Sequence, residues 1–179
     1  MTLFFATFLT GAVLVSIGVL FLMASPAIIS SLKAFPRSRL ATIILFGGAA
    51  IWFLWKIWTL SEADFGEYRK ILFVGFAAVA LASFFCVPDF LAVRGLAALT
   101  LLAATPLLGA AYMQYDFPQR RFMVAAVYAG IVVAIYLGAV PFRLRDFLGW
   151  VFNRPVRSRI VGGTLAAYGF LLAAIAFTY

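Results

Sequence analysis

The sequence predicts an all-α membrane protein in which six transmembrane helices form three hairpins with short interfacial amphipathic helices. Hydrophobic residues make up 66% of the 179 residues and charged residues only 11%, against about 45–50% and about 25% in soluble domains. Segments such as 71–86 lack the polar stripe that a helix of a soluble bundle needs every three to four residues. The composition therefore excludes a soluble helical bundle.

Six segments are long and apolar enough to cross a bilayer, which takes about 20 residues of helix. They are approximately Leu3–Met23, Leu40–Leu60, Ile71–Val87, Leu96–Met113, Phe122–Val140 and Ile160–Phe177. We expect the third and fourth, which are short, to cross steeply or to thin the bilayer locally. The first has no cationic segment before it and is too long for a signal peptide, so we expect it to be retained.

Prolines and arginines recur between these spans in a threefold pattern. Each odd-numbered span ends at a proline and each even-numbered span is entered through an arginine, namely Pro26, Pro88 and Pro141, and Arg39, Arg94 and Arg159. Proline has no amide hydrogen with which to continue a helix. The pattern predicts a single transmembrane domain of three hairpins, at approximately 1–62, 68–115 and 119–179.

Two connections, 25–39 and 140–159, are basic and amphipathic, and we call them the collars. Their apolar residues recur at helical spacing, as Ile28, Ile29, Leu32 and Phe35 in the first, and as Leu144, Phe147, Leu148 and Val151 in the second. Such segments lie flat in the headgroup layer. Only DFLAV separates Pro88 from Arg94, which leaves no room for a flat helix in the middle connection.

The collars hold the candidate binding residues for lipid headgroups or a partner subunit: Lys33, Arg37, Arg39, Arg143, Arg145, Arg154, Arg157 and Arg159. Cations near an anionic membrane surface each contribute about 1 kcal/mol to binding. The alternative is that these loops only set topology. Nucleic acid is excluded as a partner, because the chain has no polar folded face on which to hold phosphates.

Cations also predict the orientation, since lysine and arginine stay on the cytoplasmic side. Connections after odd spans hold nine of them, and connections after even spans hold five together with four of the six acids. The collars are therefore expected in the cytoplasm and both termini outside.

The second span ends in a cluster of indoles, Trp52, Trp55 and Trp58, which predicts anchoring at the headgroup level. Lys56 lies among them. An intramembrane lysine can mark a transport route, but this one is four residues from the end of its span, and we expect it to extend its ammonium to the surface.

The residues offer no catalytic constellation, metal cluster or cofactor site. The sequence has one cysteine, Cys86, and no histidine, which excludes a dithiol pair and the commonest metal ligand. Asp89 and Asp146 are expected to pair with neighbouring arginines such as Arg94 or Arg143. Pro106 is expected to kink the fourth span for packing. Tight packing, within the bundle or against a partner's helix, is predicted at small residues, namely Gly47, Gly48, Gly162, Gly163, Ala97, Ala98, Ala103 and Ala104.

The first and last hairpins resemble the small two-helix bacterial inner-membrane proteins of the YjeT kind. Their layout of span, proline, amphipathic basic segment, arginine and glycine-rich span is similar to SPAIISSLKAFPRSRLATIILFGG and VPFRLRDFLGWVFNRPVRSRIVGG. The resemblance implies an architecture and a bacterial inner membrane, and it implies no activity.

These observations predict a non-enzymatic accessory or scaffolding subunit of a larger membrane complex, with membrane lipids and other subunits as partners. The alternative is a small transporter or channel that uses scattered hydroxyls, Pro106 and Lys56. An interfacial enzyme that holds lipid phosphates on its collars ranks third, because no nucleophile or base is evident.

Overall fold

The computed structural model describes residues 1–61 and 65–179, and within them the fold is all-α. Its α-helices are α1 (Leu3–Met23), α2 (Pro26–Ala34), α3 (Arg39–Trp58), α4 (Arg69–Cys86), α5 (Leu91–Ala111), α6 (Arg120–Ala139), α7 (Phe142–Phe152) and α8 (Pro155–Ala176). A π-helical turn, Thr42–Phe46, interrupts α3, and 3₁₀ turns cover Phe35–Arg37 and Gly66–Tyr68. The prediction of an all-α fold is confirmed.

Six of these helices, α1, α3, α4, α5, α6 and α8, are long and apolar enough to cross a membrane. The prediction that the third and fourth spans are short is wrong. The 3₁₀ turn and α4 together form a segment of 21 residues, Gly66–Cys86, and α5, Leu91–Ala111, also has 21 residues. The last span likewise begins at Pro155 instead of Ile160. These helices were predicted to start too late because their first turns contain arginines, which the prediction placed outside the spans. A membrane-spanning helix tolerates an arginine where its side chain can reach out of the apolar layer.

The predicted role of the prolines is confirmed. Helices α1, α4 and α6 end at Met23, Cys86 and Ala139, two or three positions before a proline. A residue before proline is sterically disfavoured in the helical region, so the helix ends there. Helix α5, in contrast, continues through Pro106.

Helices α1 and α8 pack most extensively, side by side and antiparallel, along a seam of glycines. Gly11 faces Gly169, and Gly18 faces Gly162. A Cβ atom on Gly11 would lie 2.8 Å from the Gly169 carbonyl oxygen, and one on Gly18 would lie 2.6 Å from the Ala166 amide nitrogen. Only a glycine allows the two backbones to approach this closely.

The main core joins α1 and α8 to α5 and α6. Its fully enclosed side chains include Met123 and Leu172, with Ala6 and Ala104 beside them. Helix α3 packs on α5 at Gly95, which contacts the backbone of Phe46 in the π-helical turn. The extra residue of a π-helical turn displaces the local backbone, and here the displaced stretch lies on a glycine.

Helix α4 is attached to this body through α3. Three edge-to-face aromatic pairs join the two helices, Phe46–Phe84, Phe53–Phe76 and Trp58–Phe73, with ring centroids 5.2, 5.1 and 5.5 Å apart. The most extensive packing joins α1 to α8 and α5 to α6. The span pairs predicted to form hairpins, namely α1 with α3, α4 with α5 and α6 with α8, pack less extensively.

The predicted small-residue contacts have mixed outcomes. Gly162 lies in the seam, Ala97 and Ala104 are buried, and Ala98 and Ala103 are half-buried. Gly47, Gly48 and Gly163 face open space, because a Cβ atom added at any of them would have no neighbouring atom within 4 Å. The prediction of tight packing within the bundle is therefore wrong at these three glycines, and packing there against a partner's helix stays a prediction.

Candidate functional site

The three connections that follow the odd-numbered spans meet at one end of the molecule, which we call the basic end. Helix α2 of the first collar packs on α7 of the second, and the Phe35–Arg37 turn contacts both α5 and α7. Pro36 in this turn is buried. The two collars, more than 100 residues apart in the sequence, thus form one surface.

Local capping shapes the first collar. Ala24 adopts the left-handed conformation after α1, and the next helix starts directly with Ser25 as its N-cap and Pro26 as its first residue. The Ser25 hydroxyl accepts a hydrogen bond from the Ile28 amide at 3.4 Å. Ser38 caps α3 in the same way through the Ala41 amide, at 3.3 Å. Serine before a helix and proline at its first position are both favourable there.

The predicted amphipathic stripes are present, and the second one packs against the bundle. Ile28, Ile29, Leu32 and Phe35 are half-buried. In α7, Leu148 and Val151 are buried against Phe21 of α1, whose ring stacks on Phe152 at 5.3 Å. Phe147, also in the predicted stripe, is 42% exposed. Most of the α7 stripe is therefore covered by this chain.

Phe90 lies where the three connections meet. It occupies the left-handed conformation (φ 58°) in the tight turn before α5. The Arg37 guanidinium of the first collar lies 5.4 Å from its ring centroid, and that of Arg145 from the second lies 5.9 Å away. Each is a cation–π contact, worth about 0.5–1 kcal/mol when exposed. One aromatic ring thus brings the two collars together.

Asp146 forms an ion pair with a neighbouring arginine, Arg145, at 2.9 Å, which confirms the predicted pairing for Asp146. Both side chains are about half exposed, at 52% and 45%, so the pair contributes little to stability. Asp89 has no ion pair among residues 1–61 and 65–179. The expected pairing of Asp89 with Arg94 is therefore wrong, and the positive charge of this end is left largely uncompensated.

The remaining collar cations fall into two groups. Arg157 donates from Nη1 to the Trp150 carbonyl at 3.1 Å and lies 4.5 Å from that residue's ring centroid, and Arg143 lies 5.8 Å from the Phe142 ring. Lys33, Arg39, Arg154 and Arg159 are exposed, and their side chains have no hydrogen bond or ion pair within the described chain. This second group is free to bind anions.

At the opposite end, Trp55 and Trp58 are exposed and Trp52 is half-buried, as anchoring residues at a membrane surface would be. Lys56 is exposed in the last turn of α3, and Pro106 is half-buried in α5. Glu62 and Asp64, two acids counted in the orientation prediction, lie outside the described residues.

Sequence reasoning missed a recurring arginine contact. Arg69, the first residue of α4, donates to the Trp58 carbonyl at 3.4 Å and lies 5.5 Å from the Trp58 ring. Arg120, the first residue of α6, donates to the Ala111 carbonyl at 2.5 Å and lies 4.9 Å from the Tyr115 ring. An arginine at a span start with an aromatic residue shortly before it is the signal that would have found them.

Among the residues that the structure describes, no three His, Cys, Asp or Glu side chains lie close enough to hold a metal ion. Cys86 is a free, exposed thiol at the end of α4. Comparison with family models, curated proteins and solved structures finds no significant match to this chain. The resemblance to the YjeT kind therefore stays a prediction.

Proposed function

We propose that this protein is a non-catalytic accessory or scaffolding subunit of a larger membrane complex. In this proposal the exposed surface of α4 and a groove on α3 contact transmembrane helices of a partner, while the collars rest on anionic headgroups. The collars face the cytoplasm and both termini lie outside, in accordance with the excess of cations on that side. The membrane is a bacterial inner membrane, as the YjeT resemblance implies.

The observation that carries the proposal is the exposure of α4. None of its residues is buried, whereas α1, α5 and α8 each bury at least six. Large apolar side chains along it are mostly exposed, including Ile71 at 70%, Val79 at 62% and Phe85 at 84%. A span with so little packing of its own has the surface that does not face α3 available to another helix.

A second surface, on α3, has the shape that a partner helix requires. Gly48, Ile51, Trp52 and Trp55 line an open groove, and Gly47 and Gly48 have free space above them. Because lipid tails are as apolar as leucine, helices associate in membranes through close packing at small residues. A helix seated on Gly48 would gain this packing, whereas a lipid chain would gain less.

The collars support the second half of the proposal through their charge. Lys33, Arg39, Arg154 and Arg159 are exposed and have no ion pair within the described residues. Each cation near an anionic surface contributes about 1 kcal/mol to binding. Together they would hold the basic end against the headgroup layer and fix the tilt of the bundle.

Affinity purification from native membranes in mild detergent, with quantitative identification of co-purified subunits, tests the proposal. A defined subunit should co-purify in constant ratio with the natural protein. Gly48→Leu should reduce its recovery severalfold, because the new side chain fills the groove that it would occupy.

Gly163→Leu is the matched control, since Gly163 also lies in a membrane-spanning helix and faces open space. It should leave recovery unchanged. Equal recovery with both variants would remove the α3 groove as the docking face. Transport activity in vesicles that contain only the purified protein would contradict the accessory role altogether.

A further inference from the structure

A cavity of about 480 Å³ lies at the end of the molecule opposite the collars, between the end of α5 and the start of α6. Its polar wall includes Arg120, Arg121 and Tyr115, and its apolar wall includes Leu108, Val124 and Tyr128. The residues of the collars do not contribute to it. The cavity is therefore separate from the basic end and from the groove on α3.

The two arginines at its mouth have unused hydrogen-bond donors. A guanidinium has five N–H groups, and Arg120 uses one on the Ala111 carbonyl while its plane contacts the Tyr115 ring. Arg120 is thereby held in place. Arg121 is exposed and has no hydrogen bond, ion pair or ring contact with any residue that the structure describes.

Within residues 1–61 and 65–179, no carboxylate forms an ion pair with either arginine. Asp116 lies in the same loop, yet the Arg145–Asp146 pair is the only ion pair in the described ranges, 1–61 and 65–179. Two adjacent guanidiniums with free donors are suited to the oxygens of a phosphate, which arginine binds in a bidentate manner.

The apolar wall runs from these cations along α6. Val124 and Tyr128 follow Arg121 by three and seven positions, which places all three on one face of the helix. Leu108 of α5 also lines the cavity. Because both helices are candidate membrane spans, this wall leads from headgroup depth into the hydrocarbon layer, where an acyl chain belongs.

From this arrangement we infer that the cavity binds one anionic glycerophospholipid. Arg121 and the free donors of Arg120 hold its phosphate, and Leu108, Val124 and Tyr128 contact the first part of an acyl chain. A free phosphate would meet the arginines but would gain nothing from the apolar wall. A neutral zwitterionic lipid would place its own cation next to two arginines.

Native mass spectrometry of the full chain, titrated with phosphatidylglycerol, measures the tightest binding step. Arg121→Ala should weaken that step about tenfold, because it removes the charge-assisted hydrogen bonds that the Arg121 guanidinium donates to the phosphate. Phosphatidylcholine should bind more weakly than phosphatidylglycerol to the natural protein, and the difference should shrink in the variant.

Lys70→Ala is the matched control. Lys70 is also the second cation of a span start, after an arginine that contacts an aromatic ring and a carbonyl, but it does not line this cavity. It should change the binding step by less than about twofold, as expected for an exposed charge. Equal losses in both variants would overturn the inference, because they would show general attraction to charge.

Val124→Trp fills the space along the apolar wall without changing any charge. It should weaken the binding of phosphatidylglycerol as strongly as Arg121→Ala does. Competition with inorganic phosphate distinguishes a lipid headgroup from a free phosphate as the anion that the site binds. If it displaces the lipid at comparable concentration, the acyl chain has no part in binding and the inference of a lipid site is wrong. If it does not, the apolar wall is part of the site.

Discussion

The α1–α8 pair and helix α4 are all apolar enough to cross a membrane, but they differ sharply in how closely they pack. Gly11, Gly18, Gly162 and Gly169 interlock α1 with α8 so closely that a methyl group at any of them would touch backbone. Helix α4 has no buried residue and contacts α3 through three aromatic pairs. Where hydrophobicity is uniform, small residues in the right register decide which helices associate, since burial in protein and burial in lipid are equivalent for leucine.

The glycine seam gives the largest expected effect. Gly18→Leu should lower the free energy of unfolding by about 3 kcal/mol, because the new side chain would collide with backbone atoms of α8 that cannot move independently. Denaturant titration in mixed micelles measures this. Gly163→Leu, one position from the seam but facing open space, should cost little; if the two variants are equally stable, the seam does not hold the bundle.

The contact between Gly95 and the π-helical turn is the next largest. Gly95→Ala should destabilise the protein by about 2 kcal/mol, because its methyl group would meet the backbone of Phe46. Gly109→Ala, in the same helix but with open space around it, should be neutral or slightly stabilising by helix propensity. Similar losses of stability at both positions would show that the contact between Gly95 and Phe46 does not cause the effect.

The aromatic pairs that attach α4 have smaller energies. A double-mutant cycle of Phe53→Ala and Phe76→Ala should give a coupling of about 1 kcal/mol, as edge-to-face pairs provide beyond their buried area. Phe85, which is 84% exposed, provides the control: Phe53→Ala and Phe85→Ala should show no coupling. A zero coupling for the first cycle would mean that α4 is held by other contacts.

The smallest effect is expected on α4 itself. Gly75→Leu should change stability by less than about 0.5 kcal/mol, because no atom lies within 4 Å of a Cβ at this position. Thermal unfolding of the isolated protein measures it. A large loss would show that this side of α4 is already occupied within this chain.

The number of spans and the proline-marked ends of three of them could be predicted from sequence because they depend on local chemistry, whereas the starts of the third, fourth and last spans were predicted too late. Runs of apolar residues fix the six helices, and Pro26, Pro88 and Pro141 fix where three of them end. The amphipathic stripe Ile28, Ile29, Leu32 and Phe35 was also visible. These features follow from hydropathy and from the missing amide of proline.

Helix partners could not be predicted from the same information. Gly47 and Gly48 resemble Gly162 in the sequence, yet only Gly162 meets another helix within this chain. In a soluble protein a polar face would show which side is outward, but here every side is apolar. Phe90 was missed for a related reason, since its two arginines come from connections more than 50 residues away on either side.

The pairing of α1 with α8 has a consequence for biogenesis. About 130 residues separate the two helices, and at a synthesis rate of 5–20 residues per second the ribosome takes roughly ten seconds to make them. Throughout that interval the nascent α1 sits in the membrane with its glycine groove unfilled. Insertion machinery or passing lipid must shield that groove until α8 arrives, so the closest helix pair of the bundle forms only after α3, α4, α5 and α6 have been made.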